Sequence, residues 1–188
     1  MWIDSGRPWI VIYGILLVLA RQLTLVFAGC AIQPDANGHV DIPSSWTSIG
    51  YGAFYDCTSL ETVSIPDSVT SIGGDAFSGC TSLDSIVIPK GVQSIGINAF
   101  YGCTSLTSII IPDRLTSIVD YVFFSCTSLT KIILPEGLTS VGTHAFYRCE
   151  SLTSITLPEE LTSIGDAAFL SCKSIASINL PMRLTSIG

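Results

Sequence analysis

From Ile42 onward, apolar and polar positions along the chain recur with a fixed step of 23 residues. Seven prolines mark the step most plainly, at Pro43, Pro66, Pro89, Pro112, Pro135, Pro158 and Pro181. Phe54, Phe77, Phe100, Phe123, Phe146 and Phe169 keep it too, as do Cys57, Cys80, Cys103, Cys126, Cys149 and Cys172. A period of this length means a solenoid, in which each coil buries against its neighbours an apolar face that it could not bury alone.

Within one period, Leu60-Glu61-Thr62-Val63-Ser64-Ile65 reads L-x-x-V-x-I, and Leu106 to Ile111 and Leu152 to Leu157 repeat the pattern. Apolar residues two apart on a β-branched background predict a short strand. Every coil travels the same way round, so successive strands pair in parallel. Proline ends each one, having no N–H for the ladder. In the other half of the coil, Ile49, Ala53, Phe54 and Cys57 are spaced for one face of a helical turn. The expected fold is therefore α/β, a solenoid with one short parallel strand and one helical turn per 23-residue coil. Ile49, Phe54, Cys57, Leu60, Val63 and Ile65 should stack on their equivalents as a continuous core.

The recurring L-x-x-I-x-L-P strand and A-F-x-x-C-x-S-L segment resemble the BspA-like leucine-rich repeats, over residues 42 to 188. The resemblance implies a leucine-rich-repeat solenoid in a cell-surface or secreted protein that adheres to host proteins, matrix proteins or other cells. It implies no catalytic residues and no cofactor. The natural partition is residues 1–31 as a hydrophobic segment, 32–41 as a linker with the first strand, and 42–188 as the solenoid of six full repeats and a partial seventh. The seventh stops at Gly188, before its own Ala-Phe and Cys, so the stack is expected to continue or to pair with another chain.

Trp9 to Ala20 is an unbroken apolar run, resumed at Leu23 to Ala31 after Arg21-Gln22. Three readings are open for it. With Val26-Phe27-Ala28 before Gly29 it resembles a cleaved secretory signal. Left uncut, Trp9 to Ala31 would be a membrane anchor. Phe27-Ala28-Gly29-Cys30 loosely resembles a lipoprotein motif, with Cys30 lipidated. All three place the chain outside the cell or at its surface, with any membrane contact confined to this segment.

Charge narrows the partners. The net charge of −7 divides into −1 before Ile42 and −6 from Ile42 on, where 12 acidic residues face 6 basic ones. Phosphate-backbone binding needs clustered Lys and Arg, so nucleic acid is excluded as a partner. The six in-register cysteines read as a ladder of buried free thiols behaving as small apolar residues, with Cys30 outside the column. C-x-x-C pairs are missing, which argues against a metal site.

Strand residues that point away from the core form the candidate site. One column reads Asp41, Ser64, Val87, Ile110, Ile133, Thr156, Asn179, with three consecutive β-branched apolar residues at its centre. Lys131 lies in the column beside it, and past the prolines run Asp67, Lys90, Asp113, Glu136 and Glu159. An apolar centre with a polar rim is the anatomy of a protein-binding site. Val87, Ile110 and Ile133 are the expected anchors, with Lys131, Asp113 and Glu136 setting orientation. The competing reading is a structural spacer with no ligand, in which β-branched residues merely suit strands.

Elsewhere, Tyr55, Tyr101, Phe124 and Tyr147 form an outward aromatic column expected to cover the convex side. The recurrent serines, Ser48 and Ser59 and their equivalents, are expected to bond turn backbone. His144 falls beside Tyr121 and diagonal to Asp120 and Asp166, a conceivable His and carboxylate pair, but no nucleophile or cleft accompanies it. The chain reads as non-enzymatic.

Overall fold

A computed structural model describes residues 29–188. They form a parallel β-solenoid whose coils advance by 23 residues, as the register pairs His39↔Thr62 and Ser108↔Lys131 record. The L-x-x-V-x-I segments supply strands β1 (His39–Asp41), β3 (Thr62–Ser64), β5 (Ser85–Ile86), β7 (Ser108–Ile110) and β9 (Lys131–Ile133). These pair in that order as one five-stranded sheet, which ends at β9: Leu152 to Leu157, expected to form a further strand, forms none. Each proline opens the next corner with its carbonyl, accepting the N–H three residues on, as from Val69 to Pro66 at 3.0 Å.

Two features of the predicted coil are corrected. First, each coil in the front half of the stack carries a second strand, at T-S-I-G: β2 (Ser48–Ile49), β4 (Ser71–Ile72) and β6 (Ser94–Ile95). Beyond it follow β8 (Ser117–Ile118), β10 (Ser140–Val141), β11 (Ser163–Ile164) and β12 (Ser186–Ile187). Second, the described residues contain no α-helix, and the segment expected to be a helical turn is a ribbon of successive turns.

The backbone explains the second correction. Each ribbon has two residues with left-handed φ four positions apart: Gly52 and Asp56, Asp75 and Gly79, Asn98 and Gly102, Tyr121 and Ser125, His144 and Arg148, Ala167 and Ser171. A right-handed helix cannot propagate through them. Instead, alternate amides turn in and out of the coil. The N–H groups of Ala53, Tyr55 and Cys57 donate three residues back within the ribbon, at 3.0 to 3.3 Å. Those of Gly52, Phe54 and Asp56 donate to Gly74, Ala76 and Ser78 of the next coil, at 2.7 to 2.9 Å. The ribbon thereby satisfies its own backbone and stitches the stack together.

The core lies between ribbon and sheets as expected, with Ile49, Phe54, Cys57, Leu60 and Val63 buried and Ile65 half-buried. The phenylalanines stack face to face from Phe54 to Phe169, with centroids 5.3 to 5.6 Å apart and rings within 12° of parallel. Five column thiols are free, and each donates to the carbonyl of a phenylalanine 26 residues earlier, Cys80 to Phe54 at 3.0 Å for example. The sixth departs from the expected ladder: Cys57 forms a disulfide with Cys30, Cα to Cα 5.2 Å.

That disulfide belongs to a cap at the start of the stack. Ala31 N–H donates to Ala53 O at 2.7 Å, and Gly38 O accepts the amides of Glu61 and Thr62. Asp35 folds back to accept the amides of Asn37 and His39 at 2.8 and 2.9 Å. These bonds hold its carboxyl below the ordinary 3.8, with the His39 amide contributing most. The signal and anchor readings concern residues that lie, up to position 28, outside the described ones. The Cys30 sulfur that lipidation would require is engaged in the disulfide.

The second sheet is split, because β6 and β8 do not pair. The column after the T-S-I strand is glycine at 50, 73, 96, 142, 165 and 188, and valine at 119. At Gly73, Gly96, Gly142 and Gly165 an added Cβ would come within 2.3 to 2.7 Å of atoms of the preceding coil, backbone in every case and also the Asp120 carboxylate at Gly142. Val119 carries such a Cβ, so its coil cannot close onto Gly96 as the others close onto theirs. The concave ladder thins at the same junction, where β5 and β7 share only the pair Ser85↔Ser108.

Candidate functional site

The face of the five-stranded sheet that points away from the core leaves the predicted column exposed: Val87 is 81% exposed, Ile110 61% and Ile133 44%. Their strand neighbours Ile86, Ile109 and Ile132 are buried, as period-two alternation requires. Lys131, Asp113 and Glu136 are exposed. Ile110 and Ile133 are direct cross-strand partners, and Lys131 is opposite Ser108. Val87 lies just beyond the end of β5, where the ladder has already opened.

The six residues divide between two grooves. Val87, Ile110 and Asp113 line a groove of about 650 Å³ together with Asp67, Pro89, Lys90 and Pro112. Ile133, Lys131 and Glu136 line a second of about 350 Å³ with Thr156, Pro158 and Glu159. Both open where inter-coil pairing lapses. Ile42 N–H donates to Ser64 O at 3.0 Å and Ile111 N–H to Ile133 O at 2.9 Å, but the corresponding amides of Ile88 and Leu134 make no such bond among the described residues. Strands that are not drawn together leave space between their side chains.

The acidic row Asp67, Asp113, Glu136 and Glu159, interrupted by Lys90, is exposed along the rim. None of these residues, nor Lys131, enters an ion pair among the described residues. Their charges face solvent unneutralised.

His39, with His144 one of the two imidazoles of the chain, opens β1. At the edge of the concave sheet its Nδ1 lies 2.6 Å from Thr62 Oγ1, and its Nε2 lies 3.0 Å from Ser64 Oγ and 3.2 Å from Asp41 Oδ1. Ser64 and then His39 hold the Asp41 carboxyl below its ordinary value. This network ties β1 to β3 side by side and is open to solvent.

The His144 pairing does not form. His144 stacks on Tyr121 with centroids 5.1 Å apart, and Asp120 Oδ1 accepts the amide of Thr143 instead. Tyr101, Phe124 and Tyr147 stack at 4.7 Å, turning their faces to one another and only their edges outward. The serine expectation is also corrected. Of the two predicted columns only Ser174 bonds backbone through its side chain, to Glu150 O at 2.7 Å. Threonines take that role, as Thr130 to Thr107 O at 3.0 Å and Thr162 to Thr139 O at 3.0 Å, because their hydroxyls align with the carbonyl one coil earlier.

Comparison with known proteins gives one family. Residues 26–126 and 93–188 match the BspA type leucine rich repeat region, in six copies. A solved leucine-rich repeat protein of T. pallidum superimposes with TM-score 0.75 at 37% identity, over 79% of this chain and 72% of that one. A leucine rich cell surface protein of Faecalibacterium prausnitzii A2-165 gives TM-score 0.58 at 30% identity, covering 77% of this chain and 48% of that one. A leucine-rich repeat protein of Eubacterium ventriosum ATCC 27560 gives 0.60 at 27% identity, over 80% and 46%. The chain thus spans about half the length of the latter two. No curated protein matches it.

Proposed function

The chain belongs to the BspA-type leucine-rich repeat family, and from that premise we propose that it is a non-enzymatic protein-interaction or adhesion module that binds through its concave sheet. The observation that carries this reading is the exposed column Val87, Ile110 and Ile133, the last two on adjacent strands and Val87 just past the end of a third, flanked by charges that enter no ion pair among the described residues. Three β-branched side chains left open to water side by side cost solvation that a partner's apolar surface would recover, at about 25 cal/mol per Å². Lys131, Asp113 and Glu136 then orient the partner, since rim charges act on register and encounter more than on affinity.

The hydrophobic run ahead of Gly29 acts as the export signal or anchor, and the chain works outside the cell or on its surface. The Cys30–Cys57 disulfide supports this, because such bonds persist in oxidising compartments. So does the relative described as a cell surface protein.

The test is capture of purified cell-surface and matrix proteins by the immobilised chain, with wild type compared against a Val87→Lys, Ile110→Lys, Ile133→Lys variant. These side chains are exposed, so circular dichroism should be unchanged. Loss of capture by the folded variant supports the reading. Equal capture by both, or none by wild type, favours a structural spacer.

A further inference from the structure

The two concave grooves differ in a way that points to the chemistry of the occupant. The larger, about 650 Å³, lies at the junction where Val119 stands in the glycine column. Both ladders thin there: β6 and β8 are unpaired, and β5 and β7 keep one pair. Its walls are Val87, Ile110, Pro89 and Pro112, and its ends carry Asp67, Lys90 and Asp113. Beyond Asp113 the acidic row continues through Glu136 and Glu159 in the second groove. With no intramolecular cation on them, these carboxylates are complementary to a positive ligand.

We propose, building on the protein-binding reading above, that the groove between β5 and β7 docks an extended protein segment in which a branched apolar residue has lysine or arginine two positions away, on the same face of the segment. The apolar side chain enters between Val87 and Ile110, and the basic residues lie over Asp113 and Glu136. An extended segment suits the site because its alternate side chains are about 7 Å apart, so a segment crossing the roughly 5 Å coil spacing obliquely meets groove and row together. A helix about 10 Å across would straddle two junctions and leave the groove unfilled. A second copy of this chain is disfavoured, since its solenoid carries −6 and would meet like charge. Val119 is the residue that makes this junction different from its neighbours, and it acts by holding the coils apart.

The test uses the full chain and fluorescein-labelled peptides read by anisotropy: a Lys-Ile peptide, Lys-Ser-Ile-Ser-Lys, a Glu-Ile peptide, Glu-Ser-Ile-Ser-Glu, and a Lys-Ser peptide, Lys-Ser-Ser-Ser-Lys. The first should bind at least tenfold more tightly than either of the others and weaken as salt rises. Asp113→Asn with Glu136→Gln should weaken it about fivefold. Val119→Gly, remote from the peptide and with the acidic row intact, should weaken it as well by letting the junction close. Equal binding of the Lys-Ser peptide would reduce the site to general electrostatics, and equal binding of the Glu-Ile peptide would remove the charge argument; either overturns the proposal. No effect of Val119→Gly would overturn the groove's origin. Partner capture that is lost in the triple-lysine variant, alongside failure of the Lys-Ile peptide, would keep the protein-binding reading and reject this one.

Discussion

Replacing Gly96 by alanine should weaken the fold, whereas the same change at Gly50 should not. Both glycines occupy one column of the repeat, and neither has a left-handed φ, so alanine is conformationally acceptable at each. At Gly96 the new methyl would stand 2.3 Å from Gly74 N and 2.7 Å from Gly73 C, all backbone that cannot swing aside. At Gly50, in the first coil, nothing lies within 4 Å. Overpacking against an unyielding neighbour costs about 1 to 3 kcal/mol. Relief by separating the coils, as beside Val119, would sacrifice the Gly96 N to Ile72 O bond and the pairs joining β4 and β6, at about 1 kcal/mol per bond. Gly96→Ala should therefore lose about 2 to 4 kcal/mol, or roughly 6 to 12 °C in Tm for a chain of this size. Gly50→Ala should gain up to about 1 kcal/mol through the unfolded chain. Urea and thermal melts followed by circular dichroism measure both. Equal shifts at the two sites would refute the claim that coil closure demands glycine.

Other consequences of the fold can be checked alongside. Phe100→Ala, which removes a ring stacked at 5.5 and 5.6 Å on its neighbours, should cost about 3 to 5 kcal/mol in the same melts. Cys30→Ser breaks a link across 27 residues and should cost about 3 kcal/mol, a loss that dithiothreitol reproduces in wild type and not in the variant. Burial pushes the Cys80 and Cys126 thiols up to about 12 and raises Cys103 well above its ordinary value, while pairing with the neighbouring Cys149 thiol lowers partly exposed Cys172. Iodoacetamide at pH 8 should thus label Cys172 alone in the native protein, as read by peptide mass spectrometry. The depressed Asp35 carboxyl contributes to the cap above its ordinary 3.8 and loses that contribution as pH falls through its lower folded value. Amide exchange at Asn37 and His39 should accelerate on acidification in wild type, and Asp35→Asn should abolish that dependence.

Period, core columns and the outward display of the Val87, Ile110 and Ile133 column were all legible because they depend only on which residues recur at 23-residue steps. The helical turn was misread because Ile49, Ala53, Phe54 and Cys57 satisfy helical spacing and a chain of turns equally well. A signal against the helix was present in three coils, where Gly52 and Asp56, Asp75 and Gly79, and Asn98 and Gly102 all favour left-handed backbone. Tyr121, His144 and Ala167 hid it in the rest, held left-handed by the stack rather than by their own preference. The T-S-I strands are two residues long, too short to show any alternation. The Cys30–Cys57 link joins a residue outside the repeat to one inside it, so no column announced it. For the site, exposure followed from strand alternation, but the grooves did not: they arise from lapses in pairing, and Val119 in a glycine column marks only the junction of the larger one.

Hydrogen exchange of the full chain, alone and saturated with a captured partner, tests the central claim that the concave sheet is the binding face. Protection confined to Ile86–Gly91, Ser108–Asp113 and Lys131–Glu136 is the predicted result. Protection confined to the turn ribbons around Tyr101, Phe124 and Tyr147, with those concave segments unchanged, would contradict it.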